Sequence, residues 1–333
     1  MTRVMLDGIA MKRQSKSYID SLYAILTAAR LFDGPKYKLA GLTGMAFKFI
    51  VHERLLPLSV SAYGQWGDEH EPAIRNLGLY TVWDAGRTRH PTFAYYQQDA
   101  VNWVKRSLDA GIGVIYWLPE FGVICGYDDE DQVFYVQDGH SPGTSVVMYD
   151  NLGLNFTGFW YCQMFGERVQ IPLEAMVLES LRLAIHDWDT PHKTLPNTDI
   201  ASGKLAYSFY RDGLRRGDFD ERGAVYILDD YAYTREEIHA YLSEVSGTLN
   251  GLSEAAAAYA ELAALLPVIR SCIESDGAGG RRLARPQIDR LCELLQQAEE
   301  LEDRAIATFR AISLQYPDPS RTTIRRWGVA SPR

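Results

Sequence analysis

A serine near the N-terminus and an imidazole in the middle of the chain form the first pair of residues that could carry chemistry. Ser17 could act as a nucleophile, which requires a general base within hydrogen-bonding distance. His140, which follows closely after Asp138, is the candidate for that base. The alternative is structural, because Ser17 begins a helical pattern and a serine there can cap the first turn. We favour the helix cap.

A carboxylate and an ammonium group form a second candidate site. Glu120 lies between the large aromatic residues Trp117 and Phe121, where partial burial would suit a general base. Lys16 is an alternative partner for Glu120, and an ion pair between them would join the start of the first helix to the middle of the chain. We expect an ion pair or a ligand contact in preference to acid–base chemistry.

The best metal-like cluster is the stretch 186–192, which contains His186, Asp187, Asp189 and His192. Histidine and carboxylate together suit zinc or iron, so a metal-dependent hydrolase is a minor hypothesis. The stretch lies at a predicted helix end before a proline, where these residue types are common. We therefore expect no metal and no cofactor.

The composition is that of an ordinary globular protein, with 333 residues, 47% hydrophobic and 23% charged. A formal net charge of -9 argues against a general affinity for nucleic acid or for an anionic membrane. The apolar runs are interrupted before the roughly 18 residues that a membrane span needs, and we expect a cytoplasmic protein. The 4 cysteines form no Cys-x-x-Cys pair, which predicts buried, reduced thiols.

The first half of the chain alternates helical patterns with aromatic and β-branched runs, which is typical of an α+β fold. Apolar spacing predicts helices over 15–32, 71–77 and 97–109. A turn-rich segment, 41–47, is expected to lead into a strand over 47–51. Further strands are predicted at 113–117, 121–126, 132–137, 145–149 and 159–164.

The second half is almost entirely helical in pattern. Helices are predicted at 172–188, 202–215, 222–246, 252–274 and 285–313. The glycine-rich segment 277–280 joins the last two, as in an antiparallel helical hairpin. We predict three regions: an α+β domain over 1–168, a helical domain over 169–316 and a basic tail over 317–333.

Several short segments carry a resemblance to a known family. They are residues 17–24 in the first helix, the segment 41–47, and residues 119–129 at the central hairpin. These segments resemble the butirosin-biosynthesis protein H N-terminal domain family, a branch of the C39-like, papain-fold cysteine proteins. Residues 203–207 and the final Glu-rich helix resemble the C-terminal extension of such proteins. The resemblance implies a papain-like domain, with an N-terminal helix and a central antiparallel sheet, followed by a helical domain.

The family chemistry implies a Cys at the start of the first helix, a His on the first hairpin strand, and an Asp or Asn after the second strand. Here Lys16 and Ser17 stand at the helix start, and the first cysteine in the chain is Cys125. Glu120 stands where the His is expected, and Asp138 stands at the third place. A thiol mechanism cannot proceed without a thiol nucleophile.

These observations favour a catalytically degenerate papain-like protein that binds a small molecule or an acyl-carrier-linked partner, in the context of secondary metabolism. The ligand cleft is expected to be lined by Tyr18, Trp117, Phe121 and His140. The alternative is an acyltransferase or amide hydrolase, which the resemblance implies, with Ser17 or Glu120 in place of the thiol. No nucleic acid and no membrane is expected as a partner.

Overall fold

The computed structural model describes residues 2–61, 66–193, 197–277 and 279–317. In these ranges the helices are α1 (Ser17–Ala28), α2 (Lys36–Leu42), α3 (Trp66–Asn76), α4 (Phe93–Asp109), α5 (Leu173–Asp189), α6 (Lys204–Arg216), α7 (Glu221–Val245), α8 (Leu252–Ser271) and α9 (Ile288–Ser313). The strands are β1 (Arg3–Met5), β2 (Ile50–His52), β3 (Leu79–Arg87), β4 (Val114–Trp117), β5 (Phe121–Asp128), β6 (Val133–Gln137), β7 (Ser145–Met148), β8 (Phe159–Arg168), β9 (Ile200–Ser202), β10 (Ile273–Ser275) and β11 (Arg281–Leu283). The predicted mixed α+β class is confirmed.

The first compact unit comprises residues 2–36 and 66–170 of the described chain. Its centre is a 7-stranded antiparallel sheet in the order β3-β8-β4-β5-β6-β7, with β1 paired to β5. The central hairpin of β5 and β6 turns through the acidic residues at 128–131, as the sequence pattern predicted. Strands β4 and β5 are apolar and lie in the middle of the sheet, where they are almost completely buried.

The two faces of this sheet are covered by different helices. Trp160 and Cys162 on β8 belong to the apolar core that α4 covers with residues such as Val104. Gln163 points to the other face, because successive side chains of a strand alternate. It accepts a hydrogen bond from Tyr18 of α1. Helix α1 therefore lies on the face opposite α4.

The second compact unit comprises residues 37–61 and the described part of 171–317. Helices α7, α8 and α9 form its centre, and strand β2 pairs with β9. Gly41 of α2 packs directly on the ring of Tyr241 of α7, where any Cβ atom would overlap the ring. A glycine at this place allows the two helices to approach closely.

Helix α8 (Leu252–Ser271), within the residues that the structure describes, is long and apolar enough to cross a membrane by length and composition alone. Its buried residues include Leu262, Leu266 and Ile269. It packs against α7 and α9, which accounts for its apolar composition.

The structure differs from the sequence predictions in several elements. The segment 41–47 is mostly helical, in α2 and a following 3-10 turn, and strand β2 begins only at Ile50. The strands that were not predicted are β1, β3, β9, β10 and β11. Residues 37–61 group with the helical unit rather than with the α+β unit, because β2 pairs with β9. The predicted basic tail, 317–333, lies outside the described residues from 318 onward.

Candidate functional site

Helix α1 begins at Ser17, and the residue before it, Lys16, has the extended backbone of an N-cap without a capping side-chain bond. The preceding turn is held by Asp20, whose Oδ2 accepts from the backbone N–H groups of Gln14 at 2.7 Å and Ser15 at 3.0 Å. Lys36 pairs with the other oxygen of Asp20 at 2.6 Å. The prediction that Ser17 caps the helix is wrong, because Ser17 is the first residue inside the helix and the N-cap position belongs to Lys16.

The Ser17 side chain instead joins α1 to the beginning of β5. Its hydroxyl donates to the Glu120 carboxylate at 2.5 Å and accepts from the backbone N–H of Phe121 at 3.1 Å. Ser17 is 0% exposed. The structure thus brings together two of the predicted site residues, Ser17 and Glu120, across two elements distant in sequence.

Arg13 is an ion-pair partner of Glu120, and the sequence patterns did not single it out. Its guanidinium lies 3.3 Å from the Glu120 carboxylate, in a position where both side chains are largely buried. The same guanidinium lies 3.5 Å from the main-chain oxygens of Phe121 and Asp138. One cation therefore connects the start of β5 with the end of β6. The predicted pairing of Lys16 with Glu120 stays a prediction.

Asp138 lies directly after β6, and its carboxylate is turned into its own loop. Asp138 Oδ1 accepts from the backbone N–H groups of His140 at 2.8 Å and Ser141 at 2.9 Å. These bonds, above all the one from Ser141, hold the pKa of Asp138 below its usual value. Within the part of the chain that the structure describes, the contact of Asp138 with the Ser17 region is made by its main-chain oxygen, which faces Arg13.

His140 is exposed on this loop. In the described ranges its hydrogen bond is made by its backbone N–H to Asp138, and the Ser17 hydroxyl is bonded to Glu120 and Phe121. The hypothesis of His140 as the base for Ser17 is therefore not supported by the geometry.

Three residues predicted to line a ligand cleft are part of the core. Tyr18, Trp117 and Phe121 are at most 4% exposed. The Phe121 ring makes edge-on contacts with Tyr18, Trp117 and Trp66, and the rings of Trp117 and Trp66 are tilted by 46°. Trp117 donates its indole N–H to Thr157 at 3.1 Å. These rings belong to the core because Tyr18 of α1 and Trp66 of α3 pack on Phe121, where aromatic rings supply apolar contact area.

A buried histidine, His70 of α3, lies beside Tyr18. The two rings stack at a centroid distance of 3.6 Å, and His70 Nδ1 lies 3.0 Å from the hydroxyl of Tyr161. Tyr18 in turn donates to the buried amide of Gln163 at 2.8 Å. Burial raises the pKa of Tyr18 and of Tyr161 well above the usual value for a phenol, so both hydroxyls stay protonated. No sequence signal marks His70, since its neighbours come from other elements.

The metal-like cluster belongs to the second unit and is used structurally. Asp187 forms ion pairs with Lys48, at 3.0 Å, and with Lys193. His192 Nδ1 bonds to the main-chain oxygen of Ile200 at 2.8 Å, and Asp189 pairs with Arg310. Among the described residues, no group of three His, Cys, Asp or Glu side chains is placed to hold a metal ion.

A scan against models of known protein families gives no match, and a search of curated proteins gives none either. The family resemblance therefore depends on the short segments quoted above. The serine–carboxylate contact between α1 and β5 is the feature of this site from which a function can be inferred.

Proposed function

We propose that the first unit is a papain-like domain that has lost its thiol chemistry and acts as a binding protein for a small molecule or an acyl-carrier-linked partner. The observation that carries this proposal is the state of Ser17, which is buried and has both its donor and its acceptor functions occupied. Ser17 is the first residue of α1 and faces β5, directly after Lys16, which stands where the resemblance implies the nucleophile.

The contacts of Ser17 favour a structural role for its hydroxyl. A nucleophile must be reachable by the substrate carbonyl, and the Ser17 side chain is 0% exposed. Glu120, its hydrogen-bond partner, is also paired with Arg13. A carboxylate that holds both a guanidinium and a hydroxyl ties these groups together, which is the arrangement of a structural contact between α1 and β5.

The loss of thiol chemistry is supported by the cysteines themselves. All four are buried in the structure, and none lies near the start of α1 in the sequence. Burial raises the pKa of Cys125 to about 11 and that of Cys162 to about 12. A thiol with such a pKa is a poor nucleophile at neutral pH.

The test uses the full chain and simple acyl thioesters of N-acetylcysteamine, which present the acyl group of a carrier-linked substrate. We expect saturable binding in a calorimetric titration and no release of free thiol above the rate without protein. A fluorophosphonate probe is expected to leave Ser17 unlabelled. The proposal is contradicted if none of the thioesters binds, or if the release of free thiol depends on the protein.

A second candidate function is an acyltransferase or amide hydrolase that uses Ser17. The specific observation in its favour is the 2.5 Å hydrogen bond from Ser17 to Glu120, which is the arrangement of a nucleophile and a base. In this case the probe labels Ser17, and the labelling is lost in Ser17→Ala and in Glu120→Gln. Ser145→Ala removes an exposed serine of strand β7 and serves as the matched control.

A further inference from the structure

A cavity of about 310 Å³ lies in the first unit, at the end of strands β3 and β8 and next to the start of α4. Its described lining consists of Ala85, Gly86, Arg87, His90, Thr92, Tyr96 and Trp160. Trp160 belongs to the core on the α4 face of the sheet, whereas Ser17 belongs to α1 on the opposite face. The cavity is therefore a separate feature from the serine–carboxylate site.

The pairing register of β3 with β8 explains part of the cavity volume. Gly86 of β3 lies directly opposite Trp160 of β8. Side chains of directly opposed residues lie on the same face of an antiparallel pair, so the glycine places no side chain beside the indole ring. A volume of this size is at the lower end of the range for small-molecule sites, which is roughly 300–1,000 Å³.

Two aromatic residues make part of the wall flat and apolar. Trp160 is only 2% exposed, and Tyr96 packs on the same core from α4. The partly buried phenol ring of Tyr96 offers stacking surface to a planar apolar group, and the buried indole of Trp160 adds apolar lining. The wall therefore suits an aromatic ring better than a sugar or an inorganic ion.

The described lining includes groups that can donate to a carboxylate. Arg87 is the last residue of the edge strand β3, and it belongs to the described lining although its side chain leaves the strand on the face opposite Gly86. It is exposed, and in the described ranges it forms no ion pair. His90 Nδ1 accepts from the backbone N–H of Thr92 at 3.3 Å and lies 2.7 Å from the Thr92 hydroxyl. With Nδ1 acting as the acceptor, the neutral imidazole carries its proton on Nε2, which can donate. The described lining contains no Asp or Glu.

We propose that this cavity binds a small aromatic carboxylate. The ring occupies the apolar wall beside Trp160 and Tyr96, and the carboxylate is held by Arg87 and His90. Guanidinium and carboxylate groups form paired, charge-assisted hydrogen bonds, which give orientation as well as affinity. This site does not depend on the proposed function of the Ser17 region.

In the experiment the full chain is titrated with benzoate and with 1-naphthoate, and binding is measured by ligand-observed NMR and by calorimetry. Benzamide has the same shape without the charge, and it is expected to bind roughly tenfold more weakly or not at all. Arg87→Gln is expected to weaken binding of the carboxylates by a similar factor. Arg89→Gln removes the same charge from an exposed residue outside the described lining, and it should leave the affinity unchanged.

A variant that fills the cavity provides an independent test of the site. Gly86→Val adds a side chain opposite Trp160 and is expected to reduce binding of 1-naphthoate more than binding of benzoate. Circular dichroism checks that each variant is folded, and the Arg87 and Arg89 variants decide the result if Gly86→Val does not fold. The proposal is overturned if neither carboxylate binds, if benzamide binds as well as benzoate, or if Arg87→Gln and Arg89→Gln have equal effects.

Discussion

The Ser17 hydroxyl and the Glu120 carboxylate are hydrogen-bonded although 103 residues separate them in the sequence. The bond fixes the first residue of α1 against the residue that precedes β5. Arg13 holds the same carboxylate from the N-terminal segment, so three stretches of chain meet at Glu120. Such a connection restricts the position of the helix start relative to the central hairpin.

Replacement of Ser17 by alanine is expected to destabilise the first unit by about 1–3 kcal/mol, because the buried N–H of Phe121 loses its acceptor and Glu120 loses a donor. The measurement is urea denaturation followed by tryptophan fluorescence. Ser145→Ala, on the exposed edge strand β7, is the control and should change the stability by less than about 0.5 kcal/mol. Equal stability of the two variants would show that the Ser17 contacts contribute nothing.

The carboxylate of Asp138 is expected to make stability depend on acid pH. Its pKa is lowered in the folded protein by N–H bonds from Ser141 and His140. A lowered pKa means that the stabilisation is fully present above the unfolded value, about 3.9, and is lost as the pH falls through the folded value. The difference in Tm between the natural protein and Asp138→Asn should therefore be constant from about pH 7 to pH 5 and should shrink below about pH 4.

The control for this measurement is Asp7→Asn, which removes an exposed carboxylate from the N-terminal segment. Its difference in Tm is expected to stay small over the same pH series. A difference for Asp138→Asn that grows as the pH falls would contradict the direction of the pKa shift.

The cysteine thiols are expected to be unreactive in the folded protein. Burial raises the pKa of Cys125 to about 11, of Cys162 to about 12, and also raises the pKa of Cys272 and Cys292. The thiolate that attacks a disulfide reagent is therefore scarce at pH 8, and access is blocked. Ellman's reagent should release no thiol within minutes from the native chain and 4 equivalents in guanidinium chloride. One rapidly reacting thiol in the native protein would disprove this.

The helices of the second half could be predicted closely from sequence. The pattern over 222–246 corresponds to α7 (Glu221–Val245), and that over 285–313 corresponds to α9 (Ile288–Ser313). Long amphipathic segments repeat the same spacing over many turns, which makes the signal strong. Strand β3 was missed because Asp84 and Gly86 interrupt it, and both residue types are depleted in strands.

The candidate site could be predicted only in part. Ser17 and Glu120 were selected from residue type and position, and the structure brings them together. Arg13 and His70 were not selected, because their roles arise from contacts with residues about 50 to 100 positions away. The cap at the helix start was assigned to the wrong residue, since the sequence alone could not show that Ser17 bonds to the hairpin and leaves the turn to Asp20.

The second unit contains a buried ion pair between Arg235 of α7 and Glu302 of α9. Two hydrogen bonds of 2.7 and 3.1 Å join the groups, whose side chains are 1% and 2% exposed. Removal of one partner leaves an uncompensated charge in the core, which costs about 3–5 kcal/mol. Glu302→Leu is therefore expected to destabilise the unit by that amount in urea denaturation.

The double variant Arg235→Met/Glu302→Leu is expected to recover most of the loss, because well-packed apolar residues need no charge compensation. The single variant Arg235→Met completes the cycle. If the loss of stability in the double variant equals the sum of the losses in the two single variants, the two residues are not coupled and the prediction is wrong.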